Sequence, residues 1–319
     1  VTIAAEPQFS GELADSSSWP SVTVVVPTRD RPELLRQAID AILGQEYPGD
    51  VRVIVVFDQS EPQLSLVRAD EHRGVLVRSN TRSPGLAGAR NSGISIADTD
   101  LVAFCDDDDH WLPGKLQAQV EALRTHPNAV LAGCGIRIQY DGESVDRLPA
   151  TTTVTFRDLL RSRLSELHPS TVLVRRKALE TIGLVSEEIP GSYAEDYEWL
   201  LRVARAGDIV MVGEPLVSVL WHRKSYFVAR WQMIVDALTW LLAHYPEFQQ
   251  EPAGAARVEG QIAFASAAQG KRRDAVRWAM RTLRHNPREM RAPLALGVAA
   301  GLAKPDTVLR ALHKRGKGI

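Results

Sequence analysis

Cysteine is nearly absent. The 319-residue chain has two, Cys105 and Cys134. Two thiols build neither a disulfide framework nor a four-ligand zinc site. Both lie in apolar runs, AFC and LAGCGI, which places them as reduced core residues. Long hydrophobic runs are also lacking. The longest uncharged apolar stretch near the C-terminus, residues 292–303, falls short of the roughly 20 residues a spanning helix needs. The first twenty residues lack the basic-then-apolar order of a secretory leader. They are polar, with Ser16-Ser17-Ser18, and are expected to form a flexible arm over residues 1–19. These absences point to a cytoplasmic chain. No nucleic-acid-binding module is recognisable and few aromatics interleave with the basic residues, so no nucleic-acid partner is expected. With 45% hydrophobic and 24% charged residues, collagen-like, disordered and coiled-coil classes drop out.

What is present alternates. Residues 21–27 (SVTVVVP) form a continuous β-branched run, the mark of a strand buried on both faces. Asp30 and Glu33 have capping-box spacing, with Pro32 in the first turn of a helix that Gly44 and Pro48 end. Further strands are expected at 51–57, 74–77 and 101–105, and helices at 86–97 and 113–124. Alternating strands and helices predict an α/β fold with a mostly parallel sheet. Ligands of such sheets bind beyond the carboxyl ends of the strands. Those ends carry Thr28-Arg29-Asp30, Asp58-Gln59-Ser60 and Asp106-Asp107-Asp108-Asp109. From about 130 strands mix with Pro/Ser/Gly loops, and from about 225 the pattern is helical.

Four adjacent carboxylates repel one another and call for a counter-charge. In extended backbone Asp106 and Asp108 would point the same way, an arrangement a hard divalent cation accepts. A solvated acidic turn is the alternative. An EF-hand is excluded, because loop positions six and twelve would be Trp111 and Gln117.

Five motifs occur in order: Pro27-Thr28-Arg29-Asp30-Arg31; Asp58; Gly85-Leu86-Ala87-Gly88-Ala89-Arg90-Asn91; Phe104 to Trp111 with Lys115-Leu116-Gln117; and Ala194-Glu195-Asp196-Tyr197-Glu198-Trp199. In these the chain resembles glycosyltransferase family 2 over about residues 20–225. The resemblance implies a GT-A fold, a Rossmann-like, mostly parallel sheet flanked by helices, followed by a small all-helical C-terminal domain. The implied domains are 20–224, with a nucleotide-sugar half at about 20–130 and an acceptor half at about 131–224, and 225–319. It implies a nucleoside-diphosphate sugar donor, UDP or dTDP, and a hydroxyl-bearing acceptor such as a glycan or lipid-linked sugar. The cofactor would be Mn²⁺ or Mg²⁺. Pro27, Thr28, Arg29 and Arg31 would cover the nucleotide, Asp58 would accept from the base, and Gly85, Arg90, Asp106 and Asp107 would contact the donor. Asp106 and Asp108 would hold the metal, with His222 as a further ligand. Asp196 in the Glu195-Asp196 pair would be the general base. His168 and Trp199 would meet the acceptor.

Structural alternatives stand beside these roles. Asp58 serves equally as a helix cap, Arg90 as a partner of the acidic strand ends, and Glu195 and Asp196 as an acidic cap on the following helix. Trp199 packs as readily as it stacks, and a lone His222 is as readily structural. The product stereochemistry, inverting or retaining, is not fixed by donor motifs, and a non-catalytic sugar-nucleotide-binding scaffold is a reading of another class. Residues 253–319 carry 14 Lys or Arg against four acids. Arg273, Arg277, Arg281, Arg284 and Arg288 recur at helical spacing. They form either a solvated helix face or a surface for peripheral contact with the anionic inner face of a membrane.

Overall fold

The valine-rich run becomes strand β1 (Val22–Thr28), buried at every position. The computed structural model describes residues 19–140, 142–221 and 230–313. After helix α1 (Pro32–Leu43) the chain builds β2 (Val51–Phe57), the short edge strand β3 (Arg68–Ala69) and β4 (Arg73–Ser79). Helix α2 (Leu86–Ile94) then leads to β5 (Leu101–Phe104). Strands β4, β2, β1 and β5 lie side by side and parallel. From β1 the chain winds to β2 and β4 on one side, then returns to place β5 on the other. The crevice beyond the carboxyl ends of β1 and β5 is therefore a topological switch point.

The remaining strands are β6 (His110–Trp111), β7 (Ala129–Tyr140), β8 (Glu143–Arg147), β9 (Thr153–Val154), β10 (Leu173–Arg175) and β11 (Asp208–Leu220). Helix α3 (Lys115–Thr125) precedes β7. The sheet order among the described residues is β3-β4-β2-β1-β5-β10-β7-β11-β6. Strand β10 runs antiparallel to both β5 and β7, while β7 and β11 are parallel. Pro27 fits inside this sheet for a local reason. Pairing of β1 with β5 ends at Val25↔Phe104, so Pro27 sits where β1 has one ladder rather than two. Helix α2 packs directly on β1: a Cβ on Gly93 would meet Val25 Cγ1 at 2.4 Å.

The expected capping box is not formed. The N-cap of α1 is Arg31, without a side-chain cap. Asp30 holds left-handed backbone at φ 55, which takes it out of capping position.

Two compact units are present. The first takes the described residues up to Thr155, with Ser165–Val185 and Arg202–Leu220, and contains the sheet and α5 (Leu179–Ile182). The second takes Phe156–Leu164, Ser186–Leu201 and the described residues from Trp221 onward. It holds α4 (Phe156–Arg161), the start of α6 (Glu195–Ala206), α7 (Trp231–His244), α8 (Pro252–Ala268), α9 (Arg272–His285), α10 (Arg291–Ala299) and α11 (Pro305–His313). The linear boundary at 225 thus misses two segments. Tyr197 donates to the Leu159 carbonyl at 2.6 Å, and Arg157 and Arg161 both bind Glu251. These contacts tie α4 and the start of α6 into the helical unit. Its core is built from small side chains, including Ala263, Ala275, Ala279, Ala292 and Ala295, around Phe264. No helix among the described residues is long and apolar enough to cross a membrane.

Candidate active site

The acidic run leaves β5 as a β-turn, with the Asp109 N–H donating to the Asp106 carbonyl at 3.1 Å. This corrects the extended backbone expected there. Burial still alternates: Asp107 and Asp109 are buried, Asp106 and Asp108 partly exposed. The turn also brings Asp109 back toward Asp106, which strict alternation does not anticipate.

Each carboxylate has a partner. Thr28 Oγ1, at the end of β1, donates to Asp107 Oδ2 at 2.7 Å, and the Arg29 N–H approaches the same oxygen at 3.4 Å. Arg31 Nη1 bonds Asp107 at 3.1 Å and Asp108 at 2.5 Å. Arg90, itself buried, donates to Asp106 Oδ1 at 2.8 Å. That ion pair is the structural alternative weighed for Arg90. Burial is the largest influence on Asp107. It pushes the carboxyl up to about 6, against the Thr28 hydrogen bond and the Arg31 charge.

Ser170 closes the turn from the far side. Its hydroxyl donates to Asp109 Oδ2 at 2.5 Å and accepts the Asp106 N–H at 2.9 Å. Trp111 Nε1 holds the Ser170 carbonyl at 3.0 Å. His168 Nδ1 lies 3.2 Å from Asp109 Oδ2. Ligand atoms of Asp106, Asp109 and His168 fall within 4.8 Å of one another. Two carboxylates and an imidazole, with Asp108 beside them, form a cluster that could hold a metal ion. The sequence places His168 toward the acceptor and gives Asp109 the part of orienting the loop or approaching the sugar, not of joining a metal cluster. Ser170 was missed, because nothing local marks a serine 61 positions from its partner Asp109.

Asp58 follows β2 and is buried. It accepts from Asn80 Nδ2 at 2.8 Å, Gln59 Nε2 at 3.0 Å and the Gly85 N–H at 3.0 Å. Burial raises its pKa, but these hydrogen bonds together with Arg29 outweigh it and hold the carboxyl below its ordinary value. Gly85 is the N-cap of α2 at φ 115, ψ 179, a conformation essentially restricted to glycine. Asp58 therefore fixes the turn that starts α2 through the Gly85 N–H, while Gly85, not Asp58, is the N-cap of that helix.

In the second unit, Glu195 and Asp196 open α6, with Glu195 buried. Arg163 Nη2 donates to both Asp196 oxygens at 2.8 Å. Trp199 is 2% exposed; it packs, and offers no open ring face for stacking. His222 lies outside the described residues.

The family model "Glycosyl transferase family 2" matches residues 23–183. The chain is 27% identical over 247 residues to the amylovoran biosynthesis glycosyltransferase AmsB of Erwinia amylovora, covering 71% of this chain and 78% of that one. It is 23% identical over 188 residues to the UDP-Glc:alpha-D-GlcNAc-diphosphoundecaprenol beta-1,3-glucosyltransferase WfgD of Escherichia coli, covering 59% and 71%. Among solved structures, S. aureus TarS 1-349 in complex with UDP-GlcNAc superposes with a TM-score of 0.57 at 16% identity, over 93% of this chain and 92% of that one.

Asp58→Asn places an amide where three donors converge. It should destabilise the fold by about 1–3 kcal/mol at pH 7. A carboxyl depressed in the folded state stabilises above its unfolded value, 3.8, and that stabilisation is lost as pH falls through the folded pKa. The difference in melting temperature between the native chain and Asp58→Asn should therefore be constant near neutrality and shrink below about pH 4. A difference that does not change with pH would contradict this assignment.

Proposed function

The chain belongs to glycosyl transferase family 2, and from that premise we propose that it moves a sugar from UDP or dTDP to a hydroxyl acceptor with inversion. The observation that carries the reading is the acidic turn at the β1/β5 switch point. Asp106, Asp109 and His168 converge there, and Asp108 lies beside them. A divalent cation held by this set supplies neutralisation of the negative charge on the departing diphosphate.

The chain's own residues do the rest. Pro27, Thr28, Arg29 and Arg31 border the nucleotide. Gly85 brings backbone close to the donor, and Asp58 accepts from the N–H of the base. Arg90 fixes Asp106, and through it the donor. The acceptor oxygen attacks the anomeric carbon as the bond from that carbon to the diphosphate oxygen breaks, and the electron pair leaves with the nucleoside diphosphate. Asp196 takes the hydroxyl proton, a role that typically contributes about 10²–10⁴-fold. A UDP donor is supported by the UDP-Glc in the name of WfgD and the UDP-GlcNAc bound to TarS. The diphosphoundecaprenol acceptor in the name of WfgD supports a lipid-linked sugar as acceptor, in polysaccharide or glycolipid synthesis.

Such an acceptor would lie at a membrane, and α9 carries a matching surface. Arg273, Val276, Arg277, Met280 and Arg284 are exposed on one face of it. Arg281 is not part of that face. It binds the buried Glu259 at 2.9 Å and anchors α9 to α8. Each cation near an anionic bilayer contributes about 1 kcal/mol, so the stripe supports peripheral contact with the inner face of a membrane.

Asp108→Ala should lower metal-dependent release of UDP from UDP-glucose by at least about a hundredfold, of the order that losing one electrostatic stabiliser costs, and leave the melting temperature near native. Full turnover in the variant would refute the assignment. In a flotation assay, the native chain should rise with phosphatidylglycerol vesicles and not with phosphatidylcholine ones, and Arg273→Glu with Arg284→Glu should abolish this. Equal flotation with both lipids would remove the electrostatic contact.

A further inference from the structure

Left-handed backbone marks the places where this fold accepts strain. Five non-glycine residues among the described ones adopt it: Asp30, Gln59, Leu164, Ser192 and Ala194. Such conformations persist where surrounding structure enforces them, and they cluster at functional sites. Asp30 lies between Arg29 and Arg31. Gln59 follows Asp58. Ser192 and Ala194 sit in the loop that delivers Glu195 and Asp196 to the start of α6. Four of the five thus flank residues assigned to the reaction. The fifth, Leu164, follows Arg163, which no sequence motif singled out.

Arg163 reaches the same loop from the other side. Its Nη2 lies 2.8 Å from each oxygen of Asp196. The Asp196 side chain is 17% exposed and that of Arg163 42% exposed. The carboxylate is therefore enclosed except on a restricted side. The surrounding charges pull in both directions. Glu195, the preceding residue, is buried and repels the Asp196 charge. Tyr193 is neutral at physiological pH, since burial raises its pKa. Arg257 donates to Tyr197 Oη at 2.7 Å, and both Arg257 and Arg291 act on this neighbourhood electrostatically. Of these groups, Arg163 grips the carboxylate by both oxygens.

We propose that Arg163 is the positioning residue for Asp196, locking its carboxylate in one orientation and keeping it charged against Glu195 so that it meets the acceptor hydroxyl as a ready base. The inference rests on Asp196 being that base. Removing an opposite charge at hydrogen-bond distance raises a carboxylate pKa by about 1–3 units, and a loosened base loses rate even when ionised.

The test follows UDP release from UDP-glucose in Mn²⁺ across pH, alongside the Asp196 carboxyl carbon in ¹³C-aspartate-labelled protein, assigned by comparison with Asp196→Asn. In Arg163→Gln, the NMR midpoint and the acid limb of the rate should both move up by at least about one unit, and the plateau rate should fall about tenfold. Affinity for UDP with Mn²⁺ should not change. Arg163→Lys should restore the limb, because charge returns, but not the plateau, because the shorter lysine side chain does not bring its ammonium to the place where Nη2 meets both oxygens. If Arg163→Gln does not fold, Arg163→Lys carries the test alone: a native limb with a lowered plateau supports the proposal, and a native plateau overturns it. A limb in Arg163→Gln that coincides with the native one, or UDP affinity that falls in step with rate, also overturns it. Full turnover in Asp196→Asn would instead remove the base assignment on which the proposal stands. Loss of turnover in Asp196→Asn with an unmoved limb in Arg163→Gln would remove this proposal alone.

Discussion

Four adjacent carboxylates at the end of a buried strand repel one another, and much of the sheet unit is arranged to hold them. Thr28 and Arg31 grip Asp107 from β1 and the turn after it. Arg90 grips Asp106 from α2. Ser170, from the turn before β10, ties Asp109 to the Asp106 backbone. Three chain segments remote in sequence thus converge on one β-turn. A turn held from three sides is preorganised, the condition under which fixed charges act most strongly.

The topology explains why the convergence occurs here. Pairing of β1 with β5 stops at Val25↔Phe104, and on that edge the last residues of β1 face the turn, while on the other edge they stay paired with β2. Pro27, which would cost a ladder hydrogen bond in the middle of a sheet, is tolerated at that position. Asp58 at the end of β2 works one strand over, where it fixes the glycine turn at the head of α2. Backbone conformation and side-chain chemistry are coupled at each of these points. Gly85 needs a conformation that only glycine takes easily, and Asp30 and Gln59 hold left-handed backbone beside the residues they present.

Much of this was legible in the sequence, for physical reasons. Valine runs buried on both faces have few alternatives to a central parallel strand, and 22–28 and 51–57 fell where periodicity put them. The acidic run and its order relative to Asp58, Gly85 and Asp196 were readable as motifs. What was hidden depends on contacts distant along the chain or on backbone sign. The Asp30–Glu33 spacing matched a capping box, but a positive φ at Asp30 has no signature in that pattern. Extended geometry was assumed for Asp106–Asp109, and a β-turn changes which carboxylates meet. Arg281 looked like one more exposed arginine until Glu259, 22 residues earlier, claimed it. Ser170 and Arg163 act through partners 61 and 33 positions away, and no local pattern encodes such a partner.

If the acidic turn and a divalent cation together receive a nucleoside diphosphate, as proposed, UDP must bind better when the cation is there. Calorimetric titration of UDP into the full chain, once with Mn²⁺ and once with a chelator, should show binding at least tenfold tighter with Mn²⁺, about 1.4 kcal/mol or more. Equal affinity under the two conditions would mean that no cation joins the acidic turn in holding the diphosphate.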